Sequence, residues 1–81
     1  MTRHFFVEKR EFEMSNYYVN KNVQANGDHE VHKSDCSFMP NPENRRYLGD
    51  FPSCRGAVVV AKKIYPTADG CAHCSAECHT G

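Results

Sequence analysis

The alternation of apolar and polar residues becomes regular only after the first part of the chain. Residues 1–14 mix Phe5, Phe6, Val7 and Phe12 with acidic and basic side chains in neither a strand nor a helix period, so they read as a disordered tail. Met14 can equally be the start of the protein, with the preceding stretch an extension. Residues 15–81 then read as one small domain. Tyr17, Tyr18 and Val19 have high strand propensity, and Asn26-Gly27 is a strong hairpin signal leading into the returning strand Asp28-His29-Glu30-Val31-His32. Pro40 and Pro42 hold the next segment as a loop, and Arg45 to Phe51 reads as a third strand.

Ser53 can cap a helix that runs to Tyr65, which Pro66 keeps from continuing. At helical spacing, Ala57, Val60, Ala61 and Ile64 form one apolar stripe, and Gly56 weakens the first turn. Thr67-Ala68-Asp69-Gly70 is turn chemistry, with Gly70 able to supply a positive φ. The expected fold class is α+β: a small three-stranded antiparallel sheet, one helix, and a C-terminal Cys-x2-Cys zinc knuckle.

An 81-residue chain with 40% hydrophobic residues and no Trp has little to bury. Burial at this size supplies only about 3–5 kcal/mol, and small folds usually add a metal or disulfides. Five cysteines are an odd number, and no apolar segment is long enough to span a bilayer. A reducing cytoplasm and no membrane partner are therefore expected. Ten Lys plus Arg against ten Asp plus Glu give zero formal charge, which does not favour nucleic acid as a partner. Arg45, Arg46, Arg55, Lys62 and Lys63 are the candidate nucleic-acid contacts, with Tyr17, Tyr18 and Tyr47 as stacking groups. Solvated faces and packed strand tyrosines give the same pattern.

The chemistry concentrates in two short clusters of soft ligands, His32-Lys33-Ser34-Asp35-Cys36 and Cys71-Ala72-His73-Cys74. Two thiolates two residues apart can share one tetrahedral ion from a single turn, and a second His/Cys pair completes the shell. His32, Cys36, Cys71 and Cys74 are the preferred set, because they tie the start of the core to its end. Cys71, Cys74, Cys78 and His79 are the rival local set, and Cys78 or His79 replacing one member of the first set stays open. His29, read on the same strand face as His32, is the best spare ligand. Cys54 beside the apolar stripe reads as a buried structural thiol. Cys78 could form a disulfide with Cys54 under oxidation, but whether their β-carbons approach is beyond sequence reasoning, and Cys78 is read as unpaired. Four filled positions leave a zinc ion none for catalysis, and the Cys-x2-Cys pair follows a helix rather than opening one, so neither hydrolytic nor thiol–disulfide catalysis is expected.

These residues carry a resemblance. The first pair, Tyr47-Leu48, the Ala57 to Tyr65 helix and Gly70 to Cys74 resemble the metal-binding module of Ada-type DNA repair proteins. They are closer still to related modules that end some competence and nuclease proteins, and are similar to small bacterial proteins with the same body. The match covers about half the chain and rests on order and spacing. It implies one structural Zn2+ at His32, Cys36, Cys71 and Cys74. It does not carry over repair chemistry, since the methyl-accepting thiolate of Ada corresponds to His32. The expected function is a zinc-stabilised, monomeric module that binds a macromolecular partner, protein or nucleic acid. The alternative is a thiol redox or metal-handling protein that uses Cys54, Cys78 and His79.

Overall fold

The fold is described from a computed structural model, covering residues 13–80. The expected tail therefore lies almost entirely outside the described residues. Four strands and one helix follow in the order β1 (Ser15–Asn20), β2 (His29–Lys33), β3 (Arg45–Phe51), α1 (Cys54–Ile64) and β4 (Ala68–Gly70). Short 3-10 turns occupy Pro42–Asn44 and Ala76–Cys78. The class is α+β with one helix, but the sheet is four-stranded and mixed, in the order β3-β1-β2-β4.

β1 pairs antiparallel with β2 through Tyr18↔His32 and Val19↔Val31, and with β3 through Tyr18↔Tyr47. Asn26-Gly27 lies in the connection as expected: Gly27 adopts φ 92° and the Asn26 side chain accepts the Asp28 N–H. The loop is longer than a two-residue turn because the ladder ends at Asn20 and resumes at His29. The segment read as a turn before Cys71 is instead β4, parallel to β2 with Glu30↔Asp69 and Val31↔Gly70 in register. Asp and Gly have little strand propensity of their own, so this strand exists because an open edge of β2 offers it partners. The Cys71 N–H donates to the Val31 carbonyl at 3.0 Å, which delivers Cys71 to the neighbourhood of His32.

Ser53 caps α1 by accepting the Arg55 N–H at 3.3 Å, and Tyr65 closes it. The buried residues of α1 are Cys54, Ala57 and Ala61, with Val58 packed beside them. The stripe thus lies one turn earlier than expected, and Val60 and Ile64 are only half-buried. Cys54 joins the seam because the helix begins on it, three residues before Ala57. These small residues meet Tyr17, Val19 and Val31 of the sheet and Ala68 of β4. A core with three alanines and two valines among its seven buried residues removes little apolar area from water.

Candidate metal centre

His32 follows core residue Val31 in β2, so alternation turns its ring to the sheet face away from the helix. It is nevertheless 1% exposed. Cys36 stands just past the strand end on a turn in which its N–H donates to the Lys33 carbonyl at 2.9 Å. Cys71 and Cys74 sit on the turn after β4, closed by Ser75 N–H donating to the Cys71 carbonyl at 2.9 Å. One ligand atom from each of His32, Cys36, Cys71 and Cys74 lies within 4.8 Å of every other, a group that could hold a metal ion. The Cys36 and Cys71 sulfurs are 3.9 Å apart, and the Cys74 sulfur is 3.9 Å from Nδ1 of His32.

Backbone donors converge on the sulfurs. Lys33 N–H reaches the Cys74 Sγ at 3.3 Å and His73 N–H the Cys71 Sγ at 3.4 Å, contacts that would stabilise thiolate charge. Phe38 and His73, one from each ligand loop, stack with centroids 4.1 Å apart. An open cleft of about 310 Å³ borders the centre, lined by Lys33, Asp35, Cys36, Ser37, His73 and Cys74.

Without an ion, burial pushes both the Cys71 and Cys74 thiols up, outweighing the backbone N–H groups that act the other way. Burial pushes His32 down, so its ring stays neutral with a lone pair for a metal. Its Nε2 is buried without a hydrogen bond, with Glu30 Oε1 at 3.6 Å. At that distance we read a long contact rather than an ion pair, consistent with a neutral ring.

Raised thiols are protonated near neutrality, so an incoming cation must displace at least the Cys71 and Cys74 protons, and affinity rises with pH. The apparent dissociation constant should fall at least about 100-fold per pH unit below the thiol range, tenfold for each thiol proton displaced. Calorimetry in buffers of differing ionisation enthalpy should count two or more protons released per ion; release of none would exclude thiol ligation at this centre.

The rival local set does not assemble. Cys78 is bonded to Cys54 in a disulfide with Cα atoms 6.3 Å apart, and the His79 Nδ1 faces the Gly70 carbonyl at 3.0 Å and Asp69 at 3.3 Å. Cys54 is buried as expected, at 3% exposure, but it is not a free thiol, and Cys78 is not unpaired. The free cysteines are Cys36, Cys71 and Cys74, which resolves the odd count as three plus two. His29 is no spare ligand: it is three residues from His32, hence on the opposite strand face, where it stacks on Tyr65 at 4.0 Å and its Nδ1 contacts the Asn20 carbonyl. Gly70 does not use a positive φ, since among the described glycines only Gly27 and Gly49 do. Its lack of a side chain matters for space: a Cβ there would meet Cys78 Cβ and the Ser75 carbonyl oxygen at 2.7 Å.

The candidate nucleic-acid contacts are spread out. Arg45 is engaged, its Nη1 donating to the Pro40 carbonyl at 3.1 Å and its guanidinium lying 4.9 Å from the Tyr18 ring centroid. Arg55 and Lys62 stand at opposite ends of α1, about 10 Å apart at 1.5 Å rise per residue. Lys62 and Lys63 also complement the helix C-terminus. Tyr17 is core, whereas Tyr18 and Tyr47 pair at 5.3 Å and Tyr47 is exposed. No helix among the described residues is long and apolar enough to cross a membrane.

Fold and site together define a small α+β domain with a Cys3His group able to hold a metal ion. No protein-family model, curated protein or solved structure matches this chain.

Proposed function

We propose that this protein is a binding module stabilised by one structural Zn2+ held by His32, Cys36, Cys71 and Cys74. The observation that carries the reading is the mutual distance of these donors. Zn–S bonds of about 2.3 Å and a Zn–N bond of about 2.0 Å at tetrahedral angles give sulfur–sulfur edges of about 3.8 Å and sulfur–nitrogen edges of about 3.5 Å. The sulfur–sulfur edge here, 3.9 Å, matches the first value, and the sulfur–nitrogen edge, also 3.9 Å, is about 0.4 Å longer than the second. Two strand ends and a turn supply the donors, and the N–H···S contacts fit a Cys-x2-Cys zinc knuckle. Ligand order and spacing are what support kinship with Ada-type and competence-protein modules, and all four positions filled by protein support structure over catalysis.

The role that follows is attachment to a macromolecular partner by a monomeric domain. For nucleic acid, the exposed Tyr47, paired with Tyr18 beside Arg45, is the supporting feature, against a zero net charge and dispersed cations. A cytoplasmic location suits three reduced thiols; the Cys54–Cys78 bridge weighs against it. That bridge also favours the second reading, thiol redox or metal handling.

Cobalt(II) tests the donor set. The Co2+ protein should show the intense visible bands of a tetrahedral sulfur-rich ion, weakened and shifted by His32→Ala and Cys36→Ser but unchanged by His79→Ala. Loss of the bands with His79→Ala, and their persistence with His32→Ala, would transfer the site to the local set.

A further inference from the structure

The second cluster of ligating groups lies at the other end of the Ser75 turn, where the helix start meets the last 3-10 turn. Cys54 is the first residue of α1, Cys78 ends the turn Ala76–Cys78, and the exposed Glu77 places Oε2 at 3.7 Å from the Cys54 sulfur. One ligand atom from each of these three lies within 4.8 Å of the others. In the structure the two sulfurs are joined. We propose that Cys54, Cys78 and Glu77 form a second, reduction-gated site for a thiophilic divalent cation, independent of the Cys3His centre.

The geometry needs little change to serve both states. Two thiolates on one tetrahedral Zn2+ stand about 3.8 Å apart, so the sulfurs must separate by about 2 Å, a distance within reach of cysteine side-chain rotation. The backbone positions are held independently of the bridge: Cys78 N–H donates to the Ser75 carbonyl at 2.9 Å, and Cys54 is anchored by the capped helix. Cys54 and Glu77 line a cleft of about 380 Å³ that Lys33, His73 and Cys74 of the first centre also border, so the site is open to solvent beside that centre. Two thiolates and a carboxylate suit Zn2+ or Cd2+.

The chemistry balances with a dithiol reductant. Its thiolate attacks one sulfur of the bridge, the Cys54–Cys78 bond breaks, and a second attack releases the reductant as its own disulfide. Two electrons and two protons pass to Cys54 and Cys78. A divalent cation then displaces the two thiol protons to solvent. Reoxidation by a disulfide of the same class reverses both steps and expels the cation, so the site releases metal on oxidation.

The test compares Zn2+ bound per chain by the full-length protein with the bridge intact and after phosphine reduction. Reduced protein should bind one equivalent more than oxidised protein. Glu77→Gln should weaken that additional equivalent at least tenfold, and the Cys54→Ser/Cys78→Ser double variant should lose it. Equal stoichiometry in the two redox states would overturn the proposal, as would Glu77→Gln leaving the additional equivalent at wild-type affinity. Glu77 is exposed, so its variant carries the test even where the double variant fails to fold. Failure of the structural-zinc reading removes the equivalent common to both states; failure here removes only the difference between them.

Discussion

Cys71→Ser is expected to abolish both metal binding and cooperative unfolding. The side chain is 1% exposed, its sulfur faces Cys36 at 3.9 Å, and its N–H continues the β2–β4 ladder. A structural zinc contributes an apparent free energy of about 10–16 kcal/mol in small finger peptides, against a typical total stability of about 5–15 kcal/mol for a whole domain. The alanine-rich core here cannot offset such a loss. Removing the disulfide by Cys54→Ser should cost less. The two cysteines are 24 residues apart, and closing a loop of that size contributes about 3.5 kcal/mol in the chain-entropy account. Thermal melts followed by circular dichroism in zinc without reductant, with the Cys54–Cys78 bridge intact in the wild type, would rank them. A Cys71→Ser protein that melts with the wild-type midpoint and still binds one equivalent would contradict the assignment.

The second large effect concerns Gly70. A Cβ at this position would stand 2.7 Å from the Cys78 Cβ, 2.7 Å from the Ser75 carbonyl oxygen and 2.9 Å from the Cys78 carbonyl carbon. Two of these atoms are backbone, and the third belongs to a bridged side chain, so none can swing aside. Gly70→Ala is expected to destabilise the domain by about 2–4 kcal/mol and to disturb the ligand turn that begins at the next residue. Gly56→Ala is the control. Its Cβ would meet the Phe51 ring at 2.6 Å, but a ring can shift, and alanine recovers up to about 1 kcal/mol of helix propensity. Urea denaturation should show Gly70→Ala well below Gly56→Ala; equal midpoints would mean that the β4–turn contact is looser than described.

What could be read from the chain and what could not divide along local and non-local lines. Ser53, Pro66 and the alanine spacing mark α1 within a residue or so of its observed ends, because capping and proline act locally. Strands β1, β2 and β3 follow from β-branched and aromatic residues near turn signals. The two ligand pairs stand out by residue type and spacing, and the fold brings all four together. β4 was not legible, since Ala68-Asp69-Gly70 becomes a strand only by pairing with His29, Glu30 and Val31. The bridge was legible only as an option open to Cys54 and Cys78 under oxidation, because forming it depends on the last 3-10 turn folding back onto the start of α1. His29 was misplaced by a simple parity: residues three apart on a strand face opposite ways.

The most direct measurement is zinc stoichiometry on protein with its bridge intact, recorded together with far-ultraviolet circular dichroism before and after a chelator. One equivalent per chain, lost together with the folded signal and restored by added zinc, is the predicted result. A protein that stays folded with no metal after chelation would contradict the structural-zinc account.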